Sequence, residues 1–408
     1  MKRILTIAGS DSGGGAGIQA DLKAITLLGG YGMSVLTALT AQNTVGVQGI
    51  HEIPARFVER QIDSVLSDIG ADAIKTGMLV NREIIEVVSK KIKQYKVKKV
   101  VVDPVMVSKS GDHLLRKDAQ DALVQKLVPL AWVITPNLRE ASVLTGLKVN
   151  SLEIMKEAAR LIHKLGAKHV VVKGGHLKGK AVDLLYDGRN YNEMEGARVK
   201  SKNTHGTGCT FASAIATLLT REESVYEAVR KAKTFITLAI QSGLSLGKGA
   251  GPTNPSAYVL REMERYRVVQ ELKGAVEVLR AGKIGHLIPE VSSNLGYALP
   301  QAEGIEDVAA FPGRIMRFKD SVATHSDPEF GASDHVANII LTAMKFDPEY
   351  CSAMNIRYSR ETIAQLGRKG FLVGHFDRRL EPIKVKEKEG SLLGWGVGEF
   401  LRKMKRIP

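Results

Sequence analysis

The sequence is poor in cysteine and has no long apolar run. Its 408 residues include two cysteines, Cys209 and Cys351, which lie far apart and fit no metal-ligand spacing. Neither a disulfide framework nor a zinc site is therefore expected. No apolar run reaches membrane-spanning length, and the stretch before Gly9 is too short for a signal-peptide core. We expect a cytoplasmic chain with no membrane partner.

Two common phosphate-binding motifs are also missing. The chain has no G-x-x-x-x-G-K-[ST] segment, which excludes a P-loop kinase. The glycines at 13, 14, 15 and 17 miss the G-x-G-x-x-G spacing, which disfavours a dinucleotide-binding fold. A phosphate-binding function would need a different loop.

The formal net charge of +15 is unevenly distributed. From Glu262 onward there are 22 Lys and Arg against 20 Asp and Glu, whereas the earlier part has 36 against 23. A basic surface there could attract nucleotides or phosphorylated substrates, although a solvated lysine-rich surface is commoner. Because no helix-turn-helix, zinc-finger or aromatic RNA-binding signature accompanies it, we expect no nucleic-acid partner.

The first 250 residues alternate β-branched runs with amphipathic stretches, which predicts an α/β fold with a mainly parallel sheet. The predicted buried strands are Ile4 to Ala8, Ala71 to Lys75, Val100 to Asp103, Trp132 to Thr135 and His169 to Lys173. Polar or glycine-rich residues follow each of them. Open α/β sheets bind ligands at the carboxyl ends of their strands, so one crevice is expected there.

The segment from His205 to Thr210, HGTGCT, is the best candidate for an anion site. Gly206 and Gly208 would let backbone N–H groups point into a concavity at the start of a helix, where the helix dipole favours anions. Taken alone, a glycine-rich helix start is more often only a tight turn. Its position after the crevice strands favours the phosphate-binding interpretation.

Two carboxylates near the crevice predict a metal site. Asn137-x-x-Glu140 has the pattern of a helix cap, and Asp103 before Pro104 suits a turn. Magnesium is usually held by one or two carboxylates together with water and phosphate, so Asp103 and Glu140 are candidate Mg²⁺ ligands. Lys173 would then be the cation at the nucleotide phosphates.

Seven segments resemble the hydroxymethylpyrimidine/phosphomethylpyrimidine kinases, in that family's order. They are AGSDSGGGAGIQAD (8 to 21), TALTAQNT (37 to 44), KTGML (75 to 79), DPVM (103 to 106), TPNLREA (135 to 141), VVKGGH (171 to 176) and THGTGCTFASA (204 to 214). The resemblance implies a three-layer ribokinase-like domain that uses ATP and Mg²⁺. It also implies that Gln42 hydrogen-bonds the aminopyrimidine while Met78 and Val105 pack against its ring.

Sugar kinases of this superfamily carry Asp at the position of Cys209, so the resemblance does not name the base. A free cysteine is usually a small buried hydrophobe. At a helix N-terminus beside a basic crevice its thiolate would be favoured, so Cys209 is a candidate acceptor for the substrate hydroxyl proton.

A Gly- and Pro-rich stretch from 247 to 256 and a charged helical stretch precede a segment of different character near Ile284. We predict a kinase domain over 1–258, a helical linker over 259–283, and a smaller α/β domain over 284–408. In the last, Arg314 lies in a basic cluster suited to phosphate, and His335 begins an apolar helix. An exposed strand face and a capping histidine are the ordinary alternatives.

This second region resembles the archaeal-type thiamine-phosphate synthase domain. The matching segments are 288 to 318, 330 to 350, AMNIRYS (353 to 359) and SLLGWGVGEF (391 to 400). The resemblance implies that the kinase product, hydroxymethylpyrimidine diphosphate, is joined to thiazole phosphate with release of pyrophosphate. Arg314 and His335 match positions that the family uses for activity. We also expect a homo-oligomer.

Two alternatives stay open at this stage. Vitamin B6 kinases share the fold and the crevice, so a pyridoxine or pyridoxal kinase is the rival for the first domain. The second domain type also serves as a ligand-sensing module behind DNA-binding domains. A regulatory module that feeds back on the kinase is therefore the rival for the synthase.

Overall fold

The computed structural model describes residues 1–106, 117–175, 177, 181–196, 198–222, 224–380 and 391–404. The chain divides into two compact units, Met1–Val259 and Leu260–Pro408. Among the described residues, no helix combines the length and the apolar character needed to cross a membrane.

The first unit has ten strands among its described residues. They are β1 (Arg3–Ala8), β2 (Tyr31–Leu36), β3 (Ala38–Gln42), β4 (Val47–Glu52), β5 (Ala73–Thr76), β6 (Val100–Val102), β7 (Val133–Ile134), β8 (His169–Val172), β9 (Ala181–Tyr186) and β10 (Tyr191–Gly196). Five of them (β1, β5, β6, β7 and β8) fall within two residues of the predicted buried strands. The main sheet has the order β10-β9-β8-β7-β6-β5-β1-β2. It is parallel from β8 to β2, and β9 and β10 join antiparallel. The predicted mainly parallel sheet is confirmed.

Helices cover both faces of this sheet. They are α1 (Gly17–Leu27), α2 (Ala55–Asp68), α3 (Arg82–Gln94), α4 (Lys117–Ala122), α5 (Leu138–Thr145), α6 (Leu152–Lys164), α7 (Thr207–Leu218) and α8 (Val225–Gln241). A π-helical turn (Leu123–Leu127) and a 3₁₀ turn (Val128–Leu130) continue α4.

Successive strand residues enter different hydrophobic cores because side chains alternate across a strand. Val100 and Val102 pack in the core that includes α2, α3 and α6, while Val101 packs in the core that includes α1, α7 and α8. All three valines have no exposed surface. The first unit therefore has three layers, with the sheet in the middle, as expected.

The hairpin of β3 and β4 lies outside the main sheet as a separate antiparallel pair. Its register shifts between Ala41 and Gln42, at the end of β3. Such an irregularity bends a strand and redirects side chains. The hairpin thereby sets the position of Gln42.

The second unit is built on an antiparallel sheet with the order β15-β12-β11-β16 and a separate hairpin of β13 and β14. Its elements are β11 (Leu295–Ala298), β12 (Val308–Ala310), β13 (Ile315–Phe318), β14 (Ser321–Thr324), β15 (Glu329–Phe330), α10 (Asp334–Met344), β16 (Ser352–Met354), α11 (Arg360–Arg368) and α12 (Ser391–Met404). The predicted C-terminal α/β region is confirmed.

The stretch predicted as a linker forms the long helix α9 (Ala257–Ala281). Val268, Leu272 and Val276 are each 3% exposed or less. They pack in one core with Ile288 and Phe311 of the second unit. Because these valines and leucine are spaced by four residues, they share one helix face, which is buried in that unit.

Candidate active site

Asp103 and Lys173 form an ion pair at the carboxyl ends of β6 and β8. Lys173 Nζ lies 3.0 Å from Asp103 Oδ1, and the Thr135 hydroxyl at the end of β7 donates to the same oxygen at 3.2 Å. The pKa of Lys173 is raised above its ordinary value. Burial acts to lower this pKa, but the combined attraction of the carboxylates of Asp103 and Glu140 is larger than the effect of burial. The ammonium therefore stays charged where these strand ends meet.

Glu140 caps α5, as the ordinary interpretation of Asn137-x-x-Glu140 predicts. The backbone N–H of Asn137 donates to Glu140 Oε2 at 2.7 Å, and the N–H of Glu140 donates to Asn137 Oδ1 at 3.0 Å. Burial raises the pKa of Glu140 to about 7, with Lys173 opposing this rise and Asp103 adding to it. The carboxylate is thus a structural cap that is costly to leave charged.

The helix α7 begins beside the Asp103–Lys173 pair. Its N-cap, Gly206, has a φ of 79°, and a Cβ atom there would lie 1.7 Å from the carbonyl oxygen of Gly15. A Cβ atom on Gly208 would lie 3.4 Å from both Asp103 Oδ2 and Lys173 Nζ. The first N–H groups of a helix have no partner within the helix and favour anions. An anion at this point would meet the helix start and Lys173 together.

Cys209 lies half-buried in the first turn of α7. Burial raises the pKa of its thiol to about 11, although Lys75 and the backbone N–H of Gly17 oppose this rise. The thiolate expected at this helix start is therefore not favoured, because burial outweighs the effects of Lys75 and the Gly17 N–H. The proposed role as proton acceptor must therefore begin from a protonated thiol at neutral pH.

The residues expected at the pyrimidine lie at the end of β3 and on the loops that follow β5 and β6. The Gln42 backbone pairs with the Ser12 hydroxyl at 2.8 and 2.9 Å, which ties β3 to the loop after β1. A Cβ atom on Gly9 of that loop would lie 2.4 Å from Met78 Cε. The Val105 N–H bonds the carbonyl of Asp103 at 2.8 Å. Gln42, Met78 and Val105 are each partly exposed.

A histidine and a carboxylate, to which the sequence assigned no role, adjoin Gln42. Asp11 Oδ2 lies 2.8 Å from His205 Nε2 and accepts the N–H of Ala16 at 2.8 Å. The pKa of Asp11 is lowered below its ordinary value. Burial acts to raise this pKa, but the hydrogen bonds from His205 and from the backbone N–H groups of the loop have the larger combined effect. Gln42 Nε2 lies 3.4 Å from the same His205 nitrogen. Asp11 and His205 are thus part of the wall of the crevice.

In the second unit, Arg314 and His335 are both exposed. Arg314 adopts a φ of 69° in the turn before β13, and its guanidinium donates to the carbonyl of Val291 at 2.5 Å. His335 lies in the first turn of α10. No hydrogen bond joins the two side chains in the part of the chain that the structure describes. Their joint action therefore stays a prediction.

Residues 11–254 match the family model of phosphomethylpyrimidine kinases. The chain belongs to this kinase family. Residues 271–408 match the model described as the thiamine-phosphate synthase ThiN. The expected order of a phosphomethylpyrimidine kinase segment followed by a synthase segment is confirmed.

Named relatives of this kinase agree with the assignment. The chain is 55% identical over 252 residues to the thiamine biosynthesis bifunctional protein ThiED of Geobacter sulfurreducens, covering 62% of this chain and 51% of that protein. It is 46% identical over 258 residues to the hydroxymethylpyrimidine/phosphomethylpyrimidine kinase of Bacillus subtilis, covering 63% of this chain and 95% of the relative. The aligned part thus spans about half of the Geobacter protein.

Solved structures similar to the kinase segment include pyridoxal kinases. An ADP complex of Bacillus subtilis pyridoxal kinase is 45% identical with a TM-score of 0.61, covering 64% of this chain and 99% of that chain. Staphylococcus aureus pyridoxal kinase with AMP-PCP and pyridoxal is 40% identical with a TM-score of 0.59, and the match covers 63% of this chain and 95% of that chain. The expected ribokinase-like fold is confirmed.

Gly206 offers a test of the loop geometry of this kinase. Gly206→Ala should destabilise the first unit by at least about 2 kcal/mol, because a positive φ and a contact with the Gly15 carbonyl both oppose a side chain. Gly175→Ala is the matched control, since an added Cβ atom there meets nothing within 4 Å. Urea unfolding measures both, and equal stability of the two variants would contradict the geometry.

Glu140 predicts a pH dependence of folding in the metal-free protein. In the folded protein its pKa is about 7, above the ordinary value of 4.5. Its contribution to the free energy of unfolding is therefore fully present below pH 4.5 and is lost as the pH rises through 7. Glu140→Gln keeps the cap and should stabilise the protein at pH 8 by roughly 1 to 3 kcal/mol.

Urea unfolding at pH 5 and pH 8 with a chelator measures this difference. Glu227→Gln is the matched control: Glu227 also stands third in a capped helix, but its pKa is lowered, chiefly by its hydrogen bond with Arg230. If Glu140→Gln and the parent lose stability equally between the two pH values, Glu140 is not the group responsible.

Proposed function

We propose that the first unit transfers the γ-phosphoryl group of ATP to hydroxymethylpyrimidine and then to its monophosphate. The second unit joins the resulting diphosphate to thiazole phosphate, which gives thiamine phosphate and pyrophosphate. Both reactions are steps of thiamine biosynthesis.

The observation that carries the kinase proposal is the position of Gly208 against the Asp103–Lys173 pair. It brings the first N–H groups of α7 and a charged ammonium to one point of the crevice. A transferring phosphoryl group carries its negative charge on three equatorial oxygens, and such preorganised donors stabilise that charge. Catalysis of this kind needs positioning more than covalent chemistry.

Each residue then has one task in the transfer. Gln42 holds the aminopyrimidine, with Met78 and Val105 against its ring, so that the substrate hydroxyl faces α7. The hydroxyl oxygen forms a bond to the γ-phosphorus, the bond to the β-phosphate oxygen breaks, and the hydroxyl proton passes to the sulfur of Cys209. Because the thiol is protonated at neutral pH, Cys209 must first release its own proton to solvent and then takes up the substrate proton in its place.

The carboxylates of Asp103 and Glu140 fit a Mg²⁺ site of the kind that phosphates complete. Both are at most 7% exposed, and Asp103 helps to raise the pKa of Glu140, so a divalent cation would relieve the cost of two buried charges. No group of three or more His, Cys, Asp or Glu side chains suited to a metal occurs among the described residues. When bound, Mg²⁺ would neutralise charge on the β- and γ-phosphates.

Phosphorylation of pyridoxal is the second candidate for the first unit. The observation that favours it is the 40% and 45% identity to two pyridoxal kinases of known structure. The named relatives at 46% to 55% identity favour the pyrimidine instead. The ratio of kcat/KM for the two substrates, measured on one preparation, decides between them.

In the second unit we propose that Arg314 and His335 act on the diphosphate that departs. The planar guanidinium fork matches phosphate oxygens, and an imidazole can bind or protonate a leaving group near neutral pH. The φ of 69° at Arg314 supports a functional role, since a non-glycine residue in that region is strained.

The test combines the full chain with hydroxymethylpyrimidine, thiazole phosphate and Mg-ATP, and separates all phosphorylated products. We expect monophosphate, diphosphate, thiamine phosphate and pyrophosphate in turn. Failure to form the diphosphate would refute the kinase proposal. Tight binding of thiamine phosphate without any pyrophosphate release would make the second unit a sensor.

A further inference from the structure

A buried ion pair below the crevice is not used by any step described so far. Asp21 of α1 and Lys75 of β5 have no exposed surface, and Lys75 Nζ lies 2.8 and 2.9 Å from the two Asp21 oxygens. Asp21 also accepts the Thr6 hydroxyl of β1 at 2.6 Å and the Ser213 hydroxyl of α7 at 2.8 Å. One carboxylate thus joins two strands and two helices, with its acceptor capacity filled.

This network reaches the part of α7 that carries Cys209, because Asp21 accepts the hydroxyl of Ser213, one helical turn after Cys209. Ser213 follows Cys209 by four residues in α7, and Asp21 follows Gly17 by four residues in α1. Residues at this spacing are neighbours on one helix face. The Ser213 hydroxyl donates to Asp21 at 2.8 Å, and one turn earlier the backbone N–H of Gly17 acts to lower the pKa of Cys209. The pairing of α1 with α7 therefore determines where the sulfur of Cys209 lies.

The charges of the network also act on Cys209. Lys75 lowers the pKa of the thiol against the larger effect of burial, while Asp21 and Asp103 raise it. Lys173 is itself paired with Asp103. Lys75 thus favours the thiolate, while Asp21 and Asp103 oppose it.

Stability alone does not explain why this pair is charged. Removing two ions from water is expensive, and a well-packed apolar pair of similar volume is often as stable or more stable. Charged groups retained in such a position near a crevice are candidates for a functional role.

We propose that Asp21 and Lys75 are positioning residues of the phosphoryl-transfer site: Asp21 fixes the place of Cys209 in the crevice, and Lys75 supplies the buried positive charge that stabilises its thiolate. This inference rests on the proposed role of Cys209 as proton acceptor. Neither residue touches the substrate.

The test measures the reactivity of Cys209 in the full chain without substrates. Parent, Lys75→Met, Asp21→Asn and the double variant react with 4,4′-dithiodipyridine, an uncharged disulfide, at pH 8. Mass spectrometry of the mixed-disulfide peptides follows Cys209 and Cys351 in the same sample. Cys351 lies in the second unit and is the internal control for reagent and pH.

The two single variants should change the rate in opposite directions. Lys75→Met should slow Cys209, and Asp21→Asn should accelerate it, by roughly threefold for each pH unit by which the thiol pKa moves, since nucleophilicity partly offsets the thiolate fraction. In the double variant neither position 21 nor position 75 carries a charge, so the rate of Cys209 modification should return toward the parent rate. A purely structural role would loosen α7 in all variants and move every rate in the same direction.

Kinase assays complete the test. Lys75→Met should lower kcat at least about tenfold with little change in the KM for ATP, as expected for a group that acts on the transition state. Equal Cys209 rates in Lys75→Met and Asp21→Asn would overturn the inference. If Lys75→Met does not fold, the comparison of Asp21→Asn with the double variant replaces it. Cys209 must then react faster in Asp21→Asn than in the double variant, and equal rates in these two variants also overturn the inference.

The proposed function fails by a different result. Parent-like turnover in Cys209→Ala would overturn the role of Cys209 as proton acceptor. The labelling rates of Cys209 in the charge variants do not depend on that role, so the two failures can be told apart.

Discussion

Arg314→Ala and His335→Ala should each abolish thiamine phosphate formation while hydroxymethylpyrimidine diphosphate accumulates. The departing diphosphate carries several negative charges, and an arginine fork supplies charge-assisted hydrogen bonds to it. Because this interaction strengthens as the bond breaks, its loss should appear mainly in kcat, whereas a pure binding contact would raise KM alone. Both half-reactions are measured on each variant, and the kinase half should persist.

Two further variants separate chemistry from stability. Arg314→Gly relieves the φ of 69° at that position, so it should lose thiamine phosphate formation without loss of stability. Arg317→Ala removes a neighbouring exposed cation that already bonds the carbonyl of Lys319 at 3.0 Å, and it should stay close to the parent. Parent rates of thiamine phosphate formation in both Arg314→Ala and His335→Ala would show that the assigned roles are wrong.

Cys209→Ala should lower the kcat of phosphoryl transfer by roughly 10²-fold to 10⁴-fold, the usual cost of losing a positioned acid-base group. Nucleotide binding should stay nearly intact, because Lys173 and the N–H groups of α7 are unchanged. The thiol pKa of about 11 adds a pH signature. Below that pKa the thiolate fraction rises tenfold for each pH unit, so the parent should gain activity from pH 7 to pH 9. The variant should lose that gain.

Cys351→Ala is the matched control, because it removes the other cysteine from the second unit. Its kinase activity should equal that of the parent across the same pH range. Unchanged turnover in Cys209→Ala would reduce Cys209 to a packing residue.

Much of the kinase fold follows from the sequence pattern alone. Val100 to Val102 reads as a buried strand because all three residues are β-branched, and both faces of the sheet are indeed covered. Asp103 and Lys173 meet although 70 positions apart, because the carboxyl ends of parallel strands lie along one edge. The specific assignment of a pyrimidine kinase came from the resemblance of seven segments, not from these periodicities.

What the sequence could not show depends on burial and on long-range pairing. A helix start predicts a favoured thiolate at Cys209, but only the packed structure reveals the burial that raises the pKa of this thiol. Asp21 and Lys75 are 54 positions apart, and although both stand in segments that resemble the kinase family, nothing in the sequence pairs them. Asp11 and His205 are 194 positions apart. Only the folded structure shows that Asp21 and Lys75 lie near Cys209, and that Asp11 and His205 lie near Gln42.

The second unit was harder to interpret because its strands are short and antiparallel. β15 has two residues and β12 has three, too few for alternation to be recognised. In α9, by contrast, the spacing of Val268, Leu272 and Val276 is a legible helical signal in the sequence. The sequence predicts a helical linker over this stretch, and α9 forms that helix.

The close approach of Gly206 to Gly15 has a consequence for how this kinase can vary. Two loops that are distant in the chain share a space too small for any side chain, so neither can be changed without an adjustment in the other. Loop grafts between relatives should therefore exchange both segments as a pair. Phosphate binding alone therefore does not explain the glycine at position 206, because the nearby backbone of Gly15 also leaves no room for a side chain.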